Sequence, residues 1–189
     1  METEILDDNV NNKIRNVQYA TFLDRFLAFL LDYIIKIGPL GALFYFGYTE
    51  KNLVLILASS VFGLLYQPLM EGIWGATLGK MIMKIKMVDA DLDQIDISQS
   101  LLKNAIYIIN SVIAILSQFW IAGTDVFQEA EGFMEAMAAS EGSPYGYVSL
   151  IWGIVILVSV FMMLGSPEKQ TLHDKLANTY CVKNSTFDQ

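Results

Sequence analysis

The chain has one cysteine, Cys181, and one histidine, His173. A single thiol excludes an internal disulfide framework. One histidine with no cysteine near it in sequence excludes the clustered ligands of a zinc-type site, so neither metal nor cofactor is expected. Charge is scarce too, at 17% of 189 residues, where soluble domains average roughly 25%. Cations are the scarcer kind: 12 basic against 20 acidic residues give a net charge of −8. No basic stripe is therefore available to displace the counterions of a nucleic acid. A nucleophile, a base and an orienting acid in a catalytic pattern are also missing. His173 and Asp174 are adjacent, whereas triad members converge from separate places, and the chain reads as a non-enzyme.

What the chain has in excess is apolar surface. Hydrophobic residues make up 54% and mean hydropathy is +0.43. One core of this size cannot hide so much, and the surplus has to face lipid. Four apolar segments are long enough to span a bilayer, which needs about 20 residues at 1.5 Å each. They cover about 22–48, 53–70, 101–122 and 147–164. The first carries a Gly38-Pro39 pair that invites a kink. The N-terminal stretch Met1–Asp8 is acidic, and the first apolar run is too long and too charged for a signal h-region. That run is expected to stay in the protein.

Residues 47–52 form a short polar hairpin, which makes the first two segments antiparallel neighbours. Four passes then put residues 1–18, the 72–100 loop and the C-terminal tail on one side. That side holds Lys13, Arg15, Arg25, Lys80, Lys84, Lys86, Lys103, Lys169, Lys175 and Lys183; the other holds Lys51. The excess of Lys and Arg marks the cytoplasmic side, so both termini are expected there, in a cell membrane. The 123–146 loop is then external. It carries Asp125, Glu129, Glu131, Glu135 and Glu141 with no Lys or Arg. Phe127, Ala130, Met134 and Met137 form one apolar stripe there, expected as a short helix capping the bundle.

The first segment contains Arg25, Asp32 and Lys36. An ionisable group inside a membrane helix costs roughly 2.5–3.5 kcal/mol on insertion scales and needs company. At 100° per residue, Asp32 and Lys36 fall about 20° to either side of Arg25, on one stripe. Asp32 and Lys36 also have the i, i+4 spacing of a helical ion pair, whereas Arg25 lies roughly 10 Å from Asp32 along the axis. Two readings stay open: a structural network gluing helices together, or a site at Asp32 for a proton, cation or small solute.

Gly75-Ala-Thr-Leu-Gly79-Lys80 is not a phosphate loop, because three rather than four residues separate the glycines and Met81 stands where Ser or Thr should bind magnesium. It reads as a turn out of the bilayer, with Lys80, Lys84 and Lys86 meeting anionic headgroups. Asp89-Ala-Asp-Leu-Asp93 is not a calcium loop, since Gln94 replaces the glycine and Ser100 the final glutamate. Ser166-Pro167-Glu168 reads as a helix start, with Ser166 as N-cap and Leu172, Leu176 and Ala177 on the apolar face. Such a helix brings His173 and Asp174 to the cytoplasmic mouth beside Arg25, which makes Arg25–Asp174 the expected pair.

Three stretches taken in order carry a resemblance. They are the Arg25 and Asp32 helix; Glu71-Gly-Ile-Trp-Gly-Ala-Thr-Leu-Gly-Lys80 running through Ile85-Lys-Met-Val-Asp89; and Gln170-Thr-Leu-His-Asp-Lys-Leu-Ala-Asn-Thr179. From about Tyr19 to Val182 the chain resembles the RDD family of bacterial and archaeal membrane proteins. The arginine and two aspartates that name the family correspond to Arg25, Asp32 and Asp174. Asn178 stands where relatives often have Gly, and the acidic 123–146 loop is an elaboration. The resemblance implies a multi-pass membrane protein, with transport, sodium–proton exchange included, as the suggested activity.

The reading is therefore an all-α four-helix membrane bundle over residues 19–182, with a cytoplasmic interfacial segment, a short amphipathic C-terminal helix and a tail over 183–189. Its site residues are Arg25, Asp32 and Asp174, supported by Lys36, Gln67, Glu71, Lys80 and His173. The expected partners are the lipid bilayer, a small cation or solute, and a further copy or other membrane proteins. Transport coupled to protons through Asp32 stands against a non-transporting scaffold that uses the same stripe for helix association.

Overall fold

A computed structural model describes residues 17–140, 143 and 145–187. The polar tail expected over 1–18 lies outside these as far as residue 16. Helix α1, Phe22–Thr49, starts at a capping box in which the Thr21 side chain accepts from the Asp24 N–H and the Asp24 carboxylate from the Thr21 N–H. It carries Pro39 inside and continues through it. The hairpin closes with Lys51 at φ 52° and the Asn52 side chain capping α2, Leu53–Trp74. Expected to stop near Met70, α2 takes one more turn and ends at Gly75. There φ +72° is the left-handed geometry of a helix C-terminus that glycine adopts without strain.

The chain then doubles back. Thr77 caps the short α3, Leu78–Ile82, which lies across α1. The approach is so close that a Cβ at Gly79 would stand 2.1 Å from the Ala28 carbonyl oxygen. Strand β1, Ile85–Val88, and an Asx turn follow, in which Asp89 Oδ1 accepts from the N–H groups of Asp91 and Asp93. The apolar run expected as one helix over 101–122 is two, α4, Ile97–Lys103, and α5, Ala105–Ala122. They part at Asn104, whose amide turns inward to the Ser100 carbonyl and the Glu71 carboxylate.

Helices α6, Asp125–Glu129, and α7, Phe133–Ala138, precede the last span, α8, Tyr145–Gly165. The single stripe expected here is corrected. Phe127 and Ala130 are buried, but Met134 is 77% exposed and Met137 also faces outward, while Ala136 and Ala139 point in. The break between α6 and α7 resets the helical register, so one period does not run through both. Together they cap one end of the bundle over Tyr48, Ile56 and Ile121.

The C-terminal segment corrects another expectation. Ser166–Lys169 is a turn, and the helix, α9, Leu172–Leu176, is capped by Thr171 with Asp174 completing the capping box. Leu176 is exposed and Ala177 buried. After it β2, Tyr180–Lys183, pairs antiparallel with β1, Ile85 opposite Lys183 and Val88 opposite Tyr180. Residues before α1 join the same ribbon, through Ala20 N–H to the Cys181 carbonyl at 2.8 Å and Lys183 N–H to the Gln18 carbonyl at 2.8 Å. The all-α bundle thus carries a small sheet at its basic end, where a loop and a tail were expected.

Four helices, α1, α2, α5 and α8, are long and apolar enough to cross a membrane. Their surfaces are inverted relative to a soluble protein. Val54, Phe161 and Leu150 are outside, at 73%, 72% and 68% exposure, while Asp32, Ser59, Glu71, Ser117 and Ser159 are buried. Only lipid makes that arrangement favourable, since hydrocarbon neither penalises exposed leucine nor satisfies a polar group. Adding a methyl group at the α1–α3 crossing, Gly79→Ala, should destabilise the fold by about 1–3 kcal/mol. A lowered melting temperature in detergent is the readout, with Gly63→Ala, where a Cβ meets nothing within 4 Å, as the silent control.

Candidate functional site

The charged stripe of α1 does not act as one network with itself. Arg25 turns to the C-terminal segment, while Asp32 and Lys36 both meet Tyr66 of α2, Asp32 also reaching Thr77 and Gly79. Arg25 donates to Asp174 Oδ2 at 2.5 Å and to the Lys169 carbonyl at 2.8 Å. Asp174 is fully buried, and its position is fixed by the α9 capping box, in which Oδ2 also accepts from the Thr171 N–H. Asn178, just past α9, has φ 51°. That left-handed geometry is one which Gly takes freely and Asn tolerates, which explains why either residue suits the position.

Burial works to raise the Asp174 carboxyl, but Arg25, Lys103 and the Thr171 N–H outweigh it and hold it below its ordinary value. His173 lies beside it with Nδ1 3.0 Å from the Ser159 hydroxyl and its ring edge-on to Trp152. Burial, then repulsion from Lys103, push its imidazole below the usual value, with Asp174 opposing. His173 thereby joins the C-terminal segment to α8.

A second centre is Glu71, near the end of α2 and 0% exposed. Its Oε1 takes the Lys80 ammonium, and its Oε2 takes Lys103 Nζ at 2.6 Å and the Asn104 amide at 3.3 Å. The Gln67 amide reaches Oε1 at 3.5 Å. Lys80 was expected among lipid headgroups; its side chain is instead 14% exposed and held inside the fold by Glu71. Burial lowers both lysines. For Lys80 the attraction of Glu71 wins and the amine titrates above its ordinary value, whereas Lys103 stays below, the repulsion of Lys80 adding to its burial. Lys103 was not expected as a site residue, because a lysine at the head of an apolar run reads as an interfacial anchor.

The third centre is Asp32, 7% exposed. The i, i+4 pair with Lys36 does not form. Instead Oδ1 accepts from the Tyr66 hydroxyl at 2.7 Å and the Gly79 N–H at 2.8 Å, and Oδ2 from the Thr77 hydroxyl at 2.5 Å. The Tyr66 oxygen in turn accepts from the Leu78 N–H at 3.2 Å. Neutral donors from α2 and from the turn into α3 close around the carboxylate because Gly79 lets that turn come so near. Lys36 lies 5.0 Å from the centroid of the same Tyr66 ring, as a cation over an aromatic face.

The RDD family model matches residues 19–178. No curated protein and no solved structure matches.

Removing either member of a buried ion pair leaves the other uncompensated, at a cost of roughly 3–5 kcal/mol. Arg25→Ala and Asp174→Ala should each lower the melting temperature strongly, and the double exchange Arg25→Asp with Asp174→Arg should recover part of the loss. A pH series adds a sign. A carboxyl whose folded value is depressed contributes stability that is complete above its unfolded value, near 3.8, and fades as pH falls through the lower folded one. The stability gap between the wild type and Asp174→Asn should therefore be widest at neutral pH and narrow below pH 3.8.

Proposed function

The chain belongs to the RDD family, and from that premise we propose that it is a four-pass membrane scaffold in which the naming residues are structural ties and not steps of a translocation path. One observation carries the reading: the Asp32 carboxylate is 7% exposed and its oxygens are occupied by Tyr66, Thr77 and Gly79. A group that passes protons or cations needs an open approach for water or ion. Here the carboxylate instead clamps α1 to the turn between α2 and α3. Arg25 and Asp174 hold the C-terminal segment to α1 in the same manner, and Glu71 gathers Lys80 and Lys103 from α3 and α4.

The reading places the basic end in the cytoplasm. Lys84 and Lys175 are exposed there, while Arg25, Lys80 and Lys103 are consumed by ion pairs. All of them count toward topology, since orientation is chosen during insertion, before the pairs form. No catalytic step is part of this reading. The transport reading draws its support from Lys36, half-buried and without an ion pair among the described residues, next to a cleft between α1 and α2.

Asp32→Asn separates the two. It keeps the shape but replaces an acceptor oxygen by an NH2 donor, which loses at least one hydrogen bond, worth about 0.5–1.5 kcal/mol, and faces donor with donor. As a scaffold, the variant should accumulate less and melt earlier, and the wild type in proteoliposomes should pass sodium, potassium and protons no faster than empty vesicles. Wild-type flux abolished in a fully folded variant would restore Asp32 as a transport group. Orientation is checked with single cysteines at Lys84 and Glu131 in a Cys181→Ser background. An impermeant thiol reagent should label position 131 from outside and position 84 only after the membrane is opened.

A further inference from the structure

We propose that the cleft beside Lys36 binds the carboxyl group of a long-chain fatty acid taken from the surrounding bilayer. The cleft has a volume of about 340 Å³ and opens between α1 and α2 onto the lipid-facing surface, with Tyr33, Leu40, Gly41, Phe44 and Ser60 around Lys36. Lys36 lies halfway along α1, roughly 21 Å from its start at 1.5 Å per residue, and so deep within a hydrocarbon layer about 30 Å thick. Arg25, Glu71, Lys80, Lys103 and Asp174 have counter-ions, and Asp32 has three hydrogen-bond donors. Lys36 has the Tyr66 ring at 5.0 Å and the attraction of Asp32, but no ion pair among the described residues. An ammonium at that depth with an open, mostly apolar cleft beside it is complementary to a monoanion on an apolar chain.

Depth chooses the source of that anion. A phospholipid headgroup stays ionised and anchored at the interface, so its phosphate does not descend to Lys36. A fatty acid becomes neutral on protonation and can move its head into the hydrocarbon. The acid enters uncharged and meets the Lys36 ammonium; one proton then leaves for water at the interface, and the pair that remains is carboxylate with ammonium, equal in atoms and charge to carboxylic acid with neutral amine. The hydroxyls of Ser59 and Ser60 already donate to the Ile56 carbonyl, which leaves their oxygens as acceptors toward the cleft. The alkyl chain then follows the apolar wall from Leu40 toward Phe44. The cleft lies beside the Asp32 clamp and not in it, since Tyr66, Thr77 and Gly79 are not among the residues that line it.

The test uses the full chain in nanodiscs of zwitterionic phosphatidylcholine with radiolabelled palmitate. Wild type and Lys36→Arg should bind saturably, one palmitate per chain. Lys36→Met should weaken binding by at least about tenfold, the loss expected for a hydrogen bond between charged groups. Gly41→Phe keeps the amine and fills the cleft, for a Cβ there meets only Ile37 Cγ1, at 3.8 Å; it should abolish binding while the melting temperature stays near wild type. If Lys36→Met does not fold, the contrast of Lys36→Arg with Gly41→Phe still decides. Hexadecanol and phosphatidylglycerol should compete poorly. Absence of saturable binding, equal binding in all variants, or competition by either lipid as strong as by palmitate itself overturns the proposal.

Discussion

An ionised side chain in hydrocarbon must bring its own solvent, and this requirement organises the whole basic end of the molecule. Arg25, Glu71, Lys80, Lys103 and Asp174 lie where water is sparse, and each is surrounded by groups from elsewhere in the chain. Exposed leucine and valine on the spans contribute little to helix association, because lipid tails are as apolar as they are. The directional force that distinguishes this fold from a loose bundle therefore comes from a small number of polar contacts. They explain why a chain with so little charge places so much of it at one end.

Those contacts also explain the local irregularities. Helix α2 runs past its apolar stretch so that Glu71 reaches Lys80 and Lys103. Gly75 turns the chain, Thr77 caps α3, and the same hydroxyl donates to Asp32, so one short segment both ends a membrane span and solvates a buried acid. The ribbon of β1 and β2 then brings Cys181 into one core with Ala20 and Ile85. That sheet edge holds the start of α1 level with α9, which sets Arg25 opposite Asp174. At the other end the packing is of a soluble kind: aromatic rings of Phe44, Tyr48, Phe127 and Phe133 meet edge to face or tilted, and one Tyr48–Gln118 hydrogen bond crosses the bundle.

Length and hydropathy made the four spans legible, since a bilayer sets a minimum that few soluble helices meet. Arg25 and Asp174 were legible as neighbours because one orientation rule puts both at the same membrane face. The partners of Asp32 were not. Helical spacing pointed to Lys36, but spacing describes an isolated helix, and the competing donors come from a turn whose path depends on Gly79 having no side chain. Lys103 was hidden for a similar reason: the inward twist at Asn104 interrupts what reads as one apolar helix. The strands of the ribbon, four residues each, are too short for alternation to show, and they pair across about half of the chain's length. Near α6 and α7 an apolar period was read through a break that only tertiary packing reveals.

The separation of Arg25 from Asp174, 149 residues along the chain, has a consequence for biosynthesis. Arg25 enters the translocation machinery in the first span, while its carboxylate is still unmade on the ribosome. Until the last segment is released, the guanidinium must rest at the headgroup layer or against a chaperone. A chain that ends before residue 169 never acquires either acceptor of Arg25, and its guanidinium stays without an ion pair.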